Sequence, residues 1–111
     1  MKNAKLTATF WMLSFAMASL LVPSLHAQNA AEKTFKGKCV ACHAADGSGS
    51  DVGKKLGAHD FHSADAQKMS DAELTDVISN GKNKMPAYAK TLKPDEIKDL
   101  VGYVRELAKK A

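Results

Sequence analysis

The apolar positions of this chain are unevenly spread. A largely apolar run over residues 6–22, interrupted by Thr7, Thr9, Ser14 and Ser19, follows Lys2 and Lys5 and precedes Pro23. No acidic residue occurs before Glu32. A basic start, an apolar middle and a small residue at Ala27 form the pattern of a secretory signal peptide, residues 1–27, cut after Ala27. The alternative is a retained membrane anchor, but spanning a bilayer takes about 20 consecutive apolar residues. This run is shorter and is broken by hydroxyl groups.

Later residues group differently. Residues 30–38 set Ala31 and Phe35 among Lys33, Lys36 and Lys38, and read as a short helix leading into Cys39. Residues 44–68 are rich in Gly, Ser, Asp and Ala, which predicts loop with one helical turn after Ser63. A loop of that length in a small domain is uncommon unless it binds something. Ser70-Asp71-Ala72-Glu73 is a capping box, and Leu74, Val77 and Ile78 follow at helical spacing, with Gly81 as the stop. The last helix is predicted to start at Pro94, with Asp95 and Glu96 suited to its N-terminal dipole. Its stripe is Ile97, Leu100, Val101, Val104, Leu107 and Ala108, and Lys109 and Lys110 close its far end. Strand alternation and internal repeats are missing from the pattern, so the expected class is all-α.

Composition sharpens this picture. With residues 1–27 removed, residues 28–111 form one small domain, near the size where an apolar core alone gives marginal stability. The chain has two cysteines, which allow at most one disulfide. Something else must fill the centre. The net charge of +4 includes Lys2 and Lys5, and basic residues do not alternate with aromatics, so nucleic acid is not an expected partner.

The candidate for the missing centre is Cys39-Val40-Ala41-Cys42-His43, the C-x-x-C-H attachment signature of c-type haem. Cysteines three positions apart on a helical turn can each form a thioether to a haem vinyl group, and the adjacent histidine supplies the proximal iron ligand. Export agrees with this, because c-type haem is attached outside the bacterial cytoplasm. A disulfide or thioredoxin-like pair would belong beside a βαβ pattern. Zinc on Cys39, Cys42, His59 and His62 has suitable ligand types, yet the spacing fits poorly and His43 stays unexplained. Met85, in the turn-rich Asn80–Tyr88 stretch between the two best helices, is the candidate distal ligand. His59, His62 or an open sixth position are the alternatives, whereas Met69 reads as core filler.

On these motifs the chain resembles the class I c-type cytochromes, of the small soluble bacterial monohaem kind, over nearly all of residues 28–111. The resemblance implies a small cytochrome c fold, three to four helices wrapped around one covalently attached haem c per chain. It implies that the first and last helices cross through Phe35 on one side and Leu100 and Tyr103 on the other, with Ala31 where the family often has glycine. The family commonly provides a proline whose carbonyl accepts the ligand histidine's Nδ1 proton. That proline is missing here, so a backbone carbonyl within residues 44–57 is expected to substitute. Leu56, Leu74, Ile78, Tyr88, Leu92 and Val101 are the expected haem walls.

The function expected from these readings is that of a periplasmic, monomeric electron carrier with His/Met ligation, not an enzyme. A haem sensor or small peroxidase with an open distal site is the alternative, as is an electron-entry subunit fixed to a membrane enzyme. Redox proteins, acidic and membrane-bound, are the expected partners. Lys54, Lys55, Lys82, Lys84 and Lys90 either meet them or merely solvate their loops, while Asp71, Glu73, Asp76, Asp95, Glu96, Asp99 and Glu106 lie on the helices.

Overall fold

The computed structural model describes residues 24–110. Most of the expected signal peptide, residues 1–23, lies outside them. Six helical segments follow in order: α1 Leu25–Lys38, α2 Val40–His43, α3 Asp51–Lys55, α4 Ala64–Lys68, α5 Asp71–Asn80 and α6 Pro94–Lys109. Three of them are long (α1, α5 and α6), which agrees with the all-α expectation. No strand forms among the described residues, and an isolated antiparallel bridge joins Lys82 to Met85.

The helix starts follow from local chemistry. In α5 the Ser70 hydroxyl accepts the Glu73 N–H at 3.1 Å, and the Glu73 carboxylate accepts the Ser70 N–H at 2.7 Å. The expected turn after Ser63 is α4, whose Ala66 N–H reaches Ser63 Oγ. At α6 the cap residue Lys93 offers no side-chain acceptor, and Glu96 instead receives the Lys93 N–H at 2.7 Å. Two corrections arise. Helix α1 begins at Leu25, not near residue 30, because nothing between Ser24 and Ala30 breaks a helix. Leu25 is 78% exposed, so this extra turn buries little. Within the expected loop, α3 forms because Ser50 Oγ caps it at Gly53 N–H.

Helices α1 and α6 cross and make the main packing contact, and α5 leans on α6. The core is Phe35, Leu92, Ile97, Leu100 and Leu107, with Ala31 and Val101 also buried. Phe35 is 2% exposed, and its ring stands 5.3 Å from Tyr103 and 6.2 Å from Phe61, edge-on to the latter. Arg105 ties α6 to the start of α5 through Asp71 and the Met69 carbonyl. Each fully buried large apolar side chain contributes about 1.5–3 kcal/mol. So short a set leaves the stability of the domain dependent on whatever occupies its centre.

His62 fastens the long connection to the far end of α6. Its Nδ1 lies 2.7 Å from Asp60 Oδ1, and its Nε2 lies 3.1 Å from the Leu107 carbonyl and 3.0 Å from that of Lys110. Both ring nitrogens face acceptors, so only the imidazolium donates to all of them. The bond to Asp60, then the Lys110 carbonyl, hold the His62 pKa above its ordinary value, and the helix C-terminus adds to this.

Two predictions follow from this packing. A group whose folded pKa is raised stabilises the fold fully below its unfolded pKa, about 6.5 for histidine. That stabilisation is lost as pH rises through the folded pKa. The thermal midpoint of the haem-loaded protein should therefore fall across that window, and His62→Gln should flatten the fall. Separately, Phe35→Ala should cost about 3–5 kcal/mol in denaturant unfolding, the largest loss expected from any one core truncation here.

Candidate haem-binding site

Helix α1 delivers the first site residue directly. Four residues beyond Phe35, the Cys39 N–H still donates to the Phe35 carbonyl at 2.9 Å. The Cys39 carbonyl then accepts from Cys42 and His43, winding the single turn of α2. Ala44, at φ 60°, ends that turn. No disulfide joins Cys39 to Cys42. Burial pushes the Cys39 thiol up, which keeps it protonated.

So short a helix leaves its last carbonyls without partners inside it. The following segment supplies them. The Gly49 N–H donates to the His43 carbonyl and the Ser50 N–H to the Cys42 carbonyl, each at 2.9 Å. Ser50 Oγ donates to the Ala41 carbonyl at 2.7 Å and accepts the Gly53 N–H at 2.9 Å. Helix α3 thereby seats against α2 so closely that a Cβ on Gly53 would stand 1.8 Å from the Cys42 carbonyl oxygen. Sequence reasoning did not single out Ser50 or Gly53. The signal was there in part, since Ser50-Asp51 before Lys54 and Lys55 is a short capped turn.

Met85 is set by the turn after α5. The Met85 N–H donates to the Lys82 carbonyl at 2.9 Å, and the Lys82 N–H returns to Met85 at 3.2 Å. Asn83 takes φ 54°, and at Gly81 (φ 75°) a Cβ would meet the Met85 carbonyl oxygen at 2.5 Å. Beyond the turn, the Tyr88 and Ala89 N–H groups satisfy the Ile78 and Ser79 carbonyls at the end of α5. The Tyr88 hydroxyl donates to the Lys38 carbonyl at 3.2 Å, joining this segment to the end of α1.

These elements enclose one cavity of about 250 Å³, and Cys39, Cys42, His43 and Met85 all line it. Of the expected walls, Leu56, Leu74, Ile78, Tyr88 and Leu92 are present. Val101 is not. It is buried but faces away, and Leu100 and Val104, one turn apart on α6, take its place. His59 reaches the cavity lining, whereas His62 is committed to α6. Among the described residues no three His, Cys, Asp or Glu side chains gather as a metal cluster, which leaves the zinc reading without a site.

The expected backbone acceptor for His43 is also missing. His43 Nδ1 is buried and has no hydrogen-bond partner among the described residues. Burial lowers the His43 pKa, with the nearby His59 adding to the effect, so the imidazole is held neutral. A neutral imidazole, a thioether and two thiols facing one apolar cavity form a donor set suited to an apolar iron macrocycle.

The comparisons with known proteins agree with this chemistry. A family model described as cytochrome c oxidase, cbb3-type, subunit III matches residues 26–104. The chain is 32% identical to cytochrome c6 of Pyropia yezoensis over 107 residues, covering 96% of each protein. The chain belongs to the class I c-type cytochromes. A second relative, cytochrome c6 of Gloeothece citriformis (strain PCC 7424), is 37% identical over 79 residues, 70% of this chain and 69% of that one. Among solved structures, the KustC0563 c-type cytochrome superposes with a TM-score of 0.67 at 36% identity, covering 71% of this chain and 98% of the other. Cytochrome c6 of the diatom Phaeodactylum tricornutum gives a TM-score of 0.58 at 29% identity, covering 74% and 94%. As a member of this family the cytochrome carries covalently attached haem c.

Proposed function

We propose that this cytochrome is an exported, single-haem electron carrier and not an enzyme. Cys39 and Cys42 tether the haem, His43 is the proximal iron ligand and Met85 the distal one. The observation that carries this reading is the convergence of those side chains, from α2 and from the turn after α5, on one apolar cavity. When bound, an iron held by imidazole and thioether exchanges single electrons at a potential raised relative to bis-histidine ligation.

The protein's own residues do the rest. Ser50 and Gly53 lock the α2 turn, so His43 has little freedom to shift. The Lys82–Met85 turn and the Tyr88 hydroxyl fix the methionine segment in the same way. Ligands that are held in place need little rearrangement between oxidation states. Leu74, Ile78, Leu92 and Leu100 exclude water from the cavity.

Residues 1–27 act as the signal peptide, which directs residues 28–111 to the periplasm as one monomeric domain. No helix among the described residues is long and apolar enough to cross a membrane. The matched family description also suits a subunit fixed to a membrane oxidase. The near full-length match to a cytochrome c6 favours the free carrier. Its partners are redox proteins with acidic faces, met by exposed Lys82 and Lys84 at the cavity and by Lys54 and Lys55 on α3. Such steering speeds association and weakens with salt.

Met85→Ala should yield a high-spin ferrous protein with a lower midpoint potential, and His43→Ala should lose the low-spin spectrum. His59→Ala should change neither. The purified periplasmic species should have the mass of residues 28–111 plus one haem. Opening of the iron by a histidine change at position 59, with Met85→Ala silent, would overturn the ligand assignment.

A further inference from the structure

Ligand imidazoles are ordinarily oriented by a hydrogen bond from the ring nitrogen that does not face the metal. In this cytochrome that orienting bond is missing. His43 Nδ1 is buried beyond the reach of solvent and meets no acceptor among the described residues. A ring left this way would be free to rotate about its Cβ–Cγ bond unless packing stopped it. What it packs against is Phe61, whose ring centroid lies 5.0 Å from that of His43 with the planes 32° apart. That separation puts the two rings in direct contact, in a tilted arrangement.

We propose that Phe61 is the positioning residue for His43, its aromatic face setting the plane of the imidazole in place of the usual hydrogen bond. This rests on the reading of His43 as the iron ligand.

Phe61 is suited to the task because its own position is held from several directions. Its ring meets Phe35 edge-on, which connects it to the α1–α6 crossing. The backbone of Gly47 lies close against it. That glycine sits at φ 79°, and a Cβ there would lie 2.3 Å from Phe61 Cδ2. The Phe61 N–H donates to the Gly47 carbonyl at 2.9 Å, and its own carbonyl accepts from the Gln67 side chain at 3.0 Å. The next residue, His62, is anchored to the carbonyls of Leu107 and Lys110 at the end of α6. The half-buried ring is thus held by contacts from the first helix, the Gly47 backbone and its own backbone hydrogen bonds, and the His43 imidazole packs against it.

The arrangement has an electronic side. A hydrogen bond from Nδ1 makes a ligating imidazole a stronger donor to the metal. An imidazole oriented by ring packing alone is a weaker donor, and this favours the reduced iron. Phe61 thus lets the cytochrome hold the ligand plane still without that increase in basicity.

The test uses the ferric, haem-loaded protein and proton NMR of its haem methyl groups, whose hyperfine shifts depend on the plane of the axial imidazole. Phe61→Tyr keeps the aromatic face and should keep the wild-type order of methyl resonances. Phe61→Leu should reorder them and compress their spread. Phe61→Met, unbranched and close in volume, serves the same purpose if the leucine variant does not accumulate. Ile97→Ala weakens the core away from the cavity and should leave the order unchanged despite lower stability. A wild-type pattern in Phe61→Leu or Phe61→Met would overturn the proposal. So would an equal change in Ile97→Ala, because the effect would then be general loosening. Failure of the underlying reading is separately visible: His43→Ala would retain a low-spin spectrum whatever Phe61 does.

Discussion

The packing of Phe35 between α1 and α6 is the interaction on which the rest of the molecule depends. Its ring is buried against Leu100 and Tyr103 of α6 and meets Phe61 from the long connection. Cys39 follows within one turn, so the same contact that joins the terminal helices also places the start of the site at the cavity edge. From there the order is sequential. Cys39 winds α2, α2 is held by Ser50, and Ser50 caps α3. The molecule gains a site at the place where a larger domain would have had more core.

That economy shapes how the proposed ligands are held. Neither His43 nor Met85 sits on a long helix. Each is carried by a short turn that is held by a few backbone hydrogen bonds. The His43 turn is held by Gly49 and Ser50, and the Met85 turn by its own bridge and by links to the ends of α5 and α1. Turns of this kind have little intrinsic stability, and they persist because buried backbone groups without partners are costly. Positive φ at Ala44 and Asn83 marks where the chain bends to make those links.

Much of this was legible in the residues themselves. The capping box at Ser70, the stripe on α6 and the C-x-x-C-H motif each rest on local chemistry, and the structure contains all three. The misreadings share a physical cause. Helix α3 has no apolar periodicity and is held by hydrogen bonds to a segment nine residues away. Choosing between Leu100 and Val101 as cavity wall depends on the rotation of α6, which its crossing with α1 fixes. The Gly-rich stretch read as loop because its glycines answer to tertiary contacts: Gly53 to the Cys42 backbone and Gly47 to the Phe61 ring. Phe61 stands between His59 and His62 in the sequence, and nothing local tells that its ring packs against His43.

The central claim is that both axial positions of the iron are filled by this chain's own side chains. Carbon monoxide titration of the ferrous, haem-loaded wild-type protein at neutral pH tests it most directly. With His43 and Met85 in place, the absorption spectrum should stay unchanged at gas concentrations that saturate an open-site haem protein. Formation of a carbon monoxide adduct at stoichiometric gas would contradict the account and point to a sensor or peroxidase.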